Sequence, residues 1–337
     1  MSDIFNKLLI LRSPGIGPAR YNELLRRFET PAAVVDFLRV SVEHRDSILR
    51  EMEAAQRLGV RYVCDTDERY PVNLQQIKNH APVIAVRGNL DVLNKKMVSM
   101  VGTRHATAVG MGFVADIAQK FAEHDYAVVS GMAIGTDTAA HRGALRAQGN
   151  AITVAVLAGG VDYIWPLENE SLYYEVLERG AVISEMPVGY VPVATNFVQR
   201  NKLVAGLGEK LILGEADLKS GSMTTARFAI DMKREIWAIP SHPADLRAVG
   251  PNSLIRNGLA HMCMGPDDFF GIEKNQIKKL KKVDAENNLI DALGMIPVSE
   301  SVLAEVVKKS VSEIKAQLVV LELQGFVRKV DGGYVRV

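Results

Sequence analysis

Apolar residues recur at helical spacing through roughly the first 75 positions, with no clean alternation of period two. Phe5 to Leu11 predicts one helix. Ser13-Pro14-Gly15-Ile16-Gly17-Pro18 interrupts it, and further helices are expected from about Ala19 and over 31–39 and 45–58. From about residue 80 the texture changes. Short β-branched runs at 83–88, 97–102, 127–131, 152–157, 181–184, 211–216 and 235–240 read as strands. Helical stretches lie between them, near 108–124, 134–148, 169–179, 200–207 and 222–233. Continuous apolar strands separated by helices predict a parallel sheet covered on both faces, with ligands at the carboxyl ends of its strands.

The tail carries a different pattern. Helices are expected over 287–294, 301–309 and 311–324, and then two short strands flank Asp331-Gly332-Gly333, a hairpin turn signal. Three helices and a hairpin predict a winged helix. The lysine-rich stretch 272–285 reads as a linker or an exposed helix. The expected organisation is an N-terminal helical domain over 1–78, a Rossmann-like α/β domain over 79–272 and a winged-helix-like domain over 286–337.

Composition narrows the function. Of 337 residues, 48% are apolar and 23% charged, which is ordinary for a globular protein. Lys and Arg number 40 against 39 Asp and Glu, so no strong overall field attracts a polyanion and any nucleic-acid surface must be local. Cys64 and Cys263 form no metal-ligand pair, and two free thiols suit a reducing cytoplasm. The apolar run near the N-terminus is too short for a signal peptide, and no stretch reaches a membrane span, so no membrane association is expected.

Five segments could carry chemistry. Gly102, Thr103 and Arg104 close a strand and lead into a helix, which suits a phosphate, although the glycines do not match the dinucleotide fingerprint. Ser130, Gly131 and Gly135 form a second turn, followed by Asp137 and His141. Four apart on a helix, that pair could do acid–base work. With no nucleophile or metal partner, Asp137 is expected to cap and His141 to pack against a loop. Gly159 and Gly160 end another strand before Trp165, and either cradle a phosphate or merely turn the chain. Arg200 and Lys202 share a face on a strand but diverge on a helix, and Asn201 could cap a helix that follows. Ser220, Gly221 and Ser222 open a helix as an anion nest, without the lysine of a Walker motif. Donors and cations without a nucleophile–base pair predict a phosphate-binding groove, with no catalytic residue, cofactor or metal.

The ordered segments VGTR (101–104), SGMAIGTDTAAH (130–141), VLAGGVDYIWP (156–166), ISEMP (183–187), RNKLVAGL (200–207), SGSMTTA (220–226), AIP (238–240) and GPNSLIRNG (250–258) resemble the DprA, or Smf, family. The resemblance covers about residues 80–265. It implies a dimeric protein of the cytoplasm that binds single-stranded DNA and loads the recombinase RecA onto incoming DNA in natural transformation. Single-strand-binding protein would be a further partner. The resemblance implies no enzymatic activity, and it places DNA contacts on Arg104, Arg200 and Lys202. The N-terminal PGIGPAR is similar to a helix-hairpin-helix turn, whose glycine amides can meet a phosphate, so a helix-hairpin-helix or SAM-like domain is expected there.

Three departures from the family pattern remove a proline or a cation. Val198 stands where the family has Pro, Ile134 where Arg is frequent, and Leu167 where a basic residue follows Tyr-Pro. Lys210, Lys219 or Arg227 could supply the missing charge. The rival expectation is a hydrolase of the LOG type, which cleaves nucleoside monophosphates on a related architecture. Its PGGxGT string is absent here, and the nearby carboxylates Glu215 and Asp217 precede the SGSMTT loop. A third reading is a module that recruits RecA and meets DNA only indirectly.

Overall fold

The computed structural model describes residues 3–150, 152–270, 289–290, 292–294 and 296–337. These fall into two compact units, 1–271 and 272–337.

The first unit begins with four helices, α1 (Asp3–Leu11), α2 (Pro18–Phe28), α3 (Pro31–Leu38) and α4 (Val42–Arg57). Their starts follow from local chemistry. The Thr30 hydroxyl accepts the Ala33 amide at 3.2 Å ahead of α3, and Ser41 accepts His44 at 3.2 Å ahead of α4. Leu8, Leu9, Tyr21, Leu24, Val34 and Ile48 form their shared core, which continues onto Cys64 and Val83 at the edge of the sheet.

The sheet contains β1 (Arg61–Cys64), β2 (Val83–Gly88), β3 (Lys96–Val101), β4 (Tyr126–Ser130), β5 (Thr153–Val156), β6 (Ala181–Ser184), β7 (Lys210–Leu213), β8 (Glu235–Ala238) and β9 (His261–Met262). The helices between strands are α5 (Val72–Gln75), α6 (Ala108–Glu123), α7 (Thr136–Arg146), α8 (Glu170–Arg179), α9 (Ala194–Leu207), α10 (Gly221–Asp231) and α11 (Val249–Arg256), and α12 (Asp267–Phe270) follows β9. The strand order is β1-β2-β6-β5-β4-β3-β7-β8-β9. From β6 to β9 all pairs are parallel, as the alternation of strand and helix predicts. The sheet is nevertheless mixed, because β2 pairs antiparallel with both β1 and β6. The 65–82 connection holds only the single-turn α5 and returns the chain antiparallel beside β1.

Period-two alternation along β3 sorts its side chains between the two helical layers. Val98 and Met100 bury against Val114, Ile117 and Phe121 of α6. Met97 and Val101 bury on the other face with Val204 of α9 and Ala226 of α10. From β3 the chain first builds toward β4, β5 and β6, then returns to add β7 on β3's other side. The carboxyl ends of β3 and β7 therefore flank the topological switch point.

The second unit holds α13 (Glu300–Val307), α14 (Val311–Leu323) and an antiparallel hairpin of β10 (Val327–Val330) and β11 (Gly333–Arg336). Leu303, Ile314, Leu318, Val327 and Tyr334 form its core with Leu289 and Leu293. Of the helix expected over 287–294, the described residues Leu289, Ile290 and Ala292 sit in turns. The rest of that helix lies partly, and the 272–285 stretch wholly, outside the described residues.

Candidate nucleic-acid interface

The turn after β3 is held on both sides. The Thr103 amide donates to the Glu215 carbonyl at 2.6 Å, and the Thr136 amide donates to the Thr103 carbonyl at 3.2 Å. Beyond it, Thr107 caps α6 and donates its own amide and hydroxyl to the Glu215 carboxylate at 2.7 and 2.5 Å. Arg104, between these anchors, is exposed. Its guanidinium carbon sits 5.0 Å from the centroid of the Trp165 ring. Trp165 in turn meets Phe197 of α9 edge-on, with centroids 4.8 Å apart.

The turn after β4 is built around a buried charge. Asp137, in the first turn of α7, accepts the Gly131 and Ala133 amides at 3.2 Å each. Arg200 reaches in from α9 and is only 8% exposed. Its Nη1 donates to the Val156 carbonyl at 2.7 Å and, over a very short contact, to the Gly131 carbonyl. Burial lowers the Arg200 pKa, the Asp137 carboxylate raises it and the Arg104 charge lowers it further, for a net fall. Burial pushes the Asp137 carboxyl up, against the pull of Arg200 and the two amides. A Cβ at position 131 would lie 2.2 Å from Nη1, so the guanidinium can dock only on glycine. Gly135 has φ +80° and carries α7 against the 103–104 backbone.

Arg200 also links to the next turn. Its Nε donates to Asn201 Oδ1 at 3.2 Å, and Asn201 Nδ2 donates to the Gly221 carbonyl at 3.4 Å. There Ser220 caps α10, its hydroxyl accepting the Met223 amide at 3.4 Å and lying 3.0 Å from Ser222 Oγ. Gly221 is exposed, Ser222 is buried, and no protein acceptor takes either amide among the described residues. Lys219 and Arg227 are exposed nearby in sequence. The surface is thus a chain of contacts, Arg104 on Trp165, Trp165 on Phe197 of α9, and half-buried Asn201 one turn further along α9 on Gly221 at the open end of α10, with Arg200 buried. A cleft of about 10 Å³ between Gly131, Gly159, Trp165 and Phe197 interrupts it, too small for a nucleotide.

Several residues sit elsewhere than the pattern of the sequence implies. Ser130 is fully buried and donates to the Met100 carbonyl at 2.7 Å. The Gly160 amide is taken by the Tyr190 carbonyl at 3.0 Å, and the Gly159 carbonyl accepts Ser184 Oγ at 2.6 Å. Both glycines make room for the 187–190 segment, since a Cβ at either would lie 2.6–2.7 Å from its carbonyls. Asn201 is no cap, because α9 starts at Ala194 and contains it. For the same reason Lys202 diverges from Arg200. Its Nζ donates to the Asn79 carbonyl at 3.1 Å and lines a separate cavity of about 690 Å³ with Arg12, His80 and Glu185. His141 packs inside the sheet layer, with Nδ1 2.7 Å from Thr153 Oγ1, and burial drives its pKa down to about 3. With Asp137 committed to amides and His141 to Thr153, the two form no acid–base pair.

The family model of DNA recombination-mediator protein A matches residues 61–272, and that of the DprA winged helix domain matches residues 280–333. Protein Smf of Escherichia coli is 32% identical over 286 residues, covering 80% of this chain and 75% of its own length. Protein Smf of Synechocystis is 32% identical over 251 residues, and that match spans only 57% of the relative against 73% of this chain. Among solved structures, DprA from Streptococcus pneumoniae superposes with a TM-score of 0.69 at 26% identity, covering 80% of this chain and 97% of the other. A structure of DprA from Helicobacter pylori, which describes the single-stranded DNA binding mode of that protein, gives a TM-score of 0.57 at 26% identity over 62% and 93%.

Proposed function

The chain belongs to the DNA recombination-mediator protein A family, known as DprA or Smf, and from that premise we propose that it binds single-stranded DNA along the carboxyl edge of its sheet and delivers the strand to RecA. What carries the reading is Arg104 over Trp165, with Trp165 packed on Phe197 of α9 and Asn201, one turn further along α9, bonded to Gly221, whose amide has no protein acceptor among the described residues. A base stacks on the aromatic pair, Arg104 meets a phosphate, and the Gly221 and Ser222 amides meet the next. Arg200 and Asn201 support this surface. The wider cation set of the family reading shrinks accordingly, with Lys202 on another surface. The single-stranded DNA binding described for the Helicobacter pylori relative supports the same direction.

The chain acts as a cytoplasmic dimer, in which two such edges share one strand and gain avidity. RecA, and single-strand-binding protein displaced from the strand, are its partners. No covalent step is part of the function, and the Glu215 carboxylate that a hydrolase would need free is held by Thr107. The test is RecA assembly on single strands coated with single-strand-binding protein. Wild-type protein shortens the lag of assembly and Arg104→Glu does not. An identical lag with and without the protein would refute delivery.

A further inference from the structure

At the switch point of a parallel α/β sheet, the amides opening the helix after the first strand ordinarily receive a ligand phosphate. Here the amide of the residue capping that helix is engaged from within. Glu215 follows β7, is 8% exposed, and takes both the amide and the hydroxyl of Thr107 at the start of α6. A Cβ at Gly110, one turn into α6, would lie 2.8 Å from the Glu215 carboxylate, so the contact leaves no gap. On the far wall, a Cβ at Gly102 would lie 2.3 Å from the Thr136 hydroxyl.

We infer that Glu215 is a built-in anion that closes the switch-point crevice to mononucleotides and fixes the Arg104 loop for a polymer passing outside. Two features support the double role. A phosphate carries up to about two negative charges, so it would meet a buried carboxylate of like sign. The same residue also holds the loop at both ends, through the Thr103 amide on its carbonyl and Thr107 on its carboxylate. The inference rests on the polymer reading above and adds how the chain selects a polynucleotide over its monomer.

The experiment uses the full chain, wild type, Glu215→Ala and Glu215→Gln, with circular dichroism to verify folding. Each is titrated with AMP and with inorganic phosphate at constant ionic strength, read by thermal shift, and with an oligothymidylate, read by anisotropy. Glu215→Ala is expected to gain at least tenfold in AMP affinity and to lose at least threefold in oligonucleotide affinity. Glu215→Gln, which keeps the volume, gains less AMP affinity. Equal AMP affinity in all three folded proteins overturns the inference. Should Glu215→Ala fail to fold, AMP that displaces the oligonucleotide from wild type overturns it, and a lack of displacement supports it. An oligonucleotide that does not bind wild type defeats the functional reading alone, because the phosphate arm still judges Glu215.

Discussion

Arg104 holds its guanidinium carbon 5.0 Å from the centre of the Trp165 ring, so an exposed cation and a flat aromatic face are presented together. Arg104 is exposed and accounts for little of the fold. Arg104→Ala is therefore expected to weaken oligothymidylate binding at least tenfold while the melting temperature moves by no more than about 2 °C, as for surface substitutions generally. The slope of log affinity on log salt should shrink by about 0.7, the contribution of one phosphate on a single strand. Titrations at several salt concentrations measure both.

Trp165 supplies the stacking surface. Trp165→Ala should cost about 1–3 kcal/mol of binding, the range for one base on one aromatic ring, whereas Trp165→Phe should retain most of it. The only other tryptophan, Trp237, lies on β8. Quenching of tryptophan fluorescence by oligothymidylate should thus vanish in Trp165→Phe. Quenching that persists would place the strand elsewhere.

Arg200 answers differently, because its guanidinium is buried on the Gly131 and Val156 carbonyls and faces Asp137. Removing the guanidinium leaves two buried carbonyls without their donor, at a cost of about 1–3 kcal/mol for each unpaired group. Arg200→Ala should therefore lower stability in urea unfolding, and Arg200→Glu should lower it more, as a carboxylate would then face Asp137. Gly131→Ala should behave alike, with its Cβ 2.2 Å from Arg200 Nη1. Arg200→Ala with wild-type stability and weakened DNA binding would instead make this residue a direct contact.

His141 makes the fold pH-sensitive. Its folded pKa lies near 3 against an ordinary 6.5. Below pH 6.5 the unfolded chain binds a proton that the native chain refuses, so stability falls as pH falls, by about 1.4 kcal/mol per unit. By pH 5 that amounts to about 2 kcal/mol. His80, raised chiefly by its bond to Asp65, acts in the opposite sense, contributing at low pH and losing its effect as pH rises through its folded pKa. Comparing His141→Leu with wild type in urea at pH 7 and pH 5 isolates the first effect. The variant should lose less stability over that interval.

The sheet is largely legible in the chain because β3, β4, β5, β6 and β7 are short apolar runs between amphipathic helices. The strands β1 and β9 are not, since four residues with one exposed end and two exposed residues leave no pattern to read. At the site, the glycine turns mark the correct strand ends. Which of their amides remain open depends on partners distant in sequence, such as Glu215 for Thr103 and Tyr190 for Gly160. Arg200 and Lys202 show the same limit. A two-residue spacing fixes their divergence only once the helix is known to start at Ala194, and neither the burial of Arg200 nor the partnership of Phe197 with Trp165 leaves a local signal.

Anisotropy with a labelled single strand and its duplex, at low and moderate salt, on wild type and Arg104→Glu, decides whether this sheet edge binds single-stranded DNA. Wild type is expected to prefer the single strand at least tenfold, with an affinity that falls with salt, and Arg104→Glu to lose well over tenfold while still melting like wild type. Equal affinity for both strands, or a folded Arg104→Glu that binds as wild type does, would contradict it.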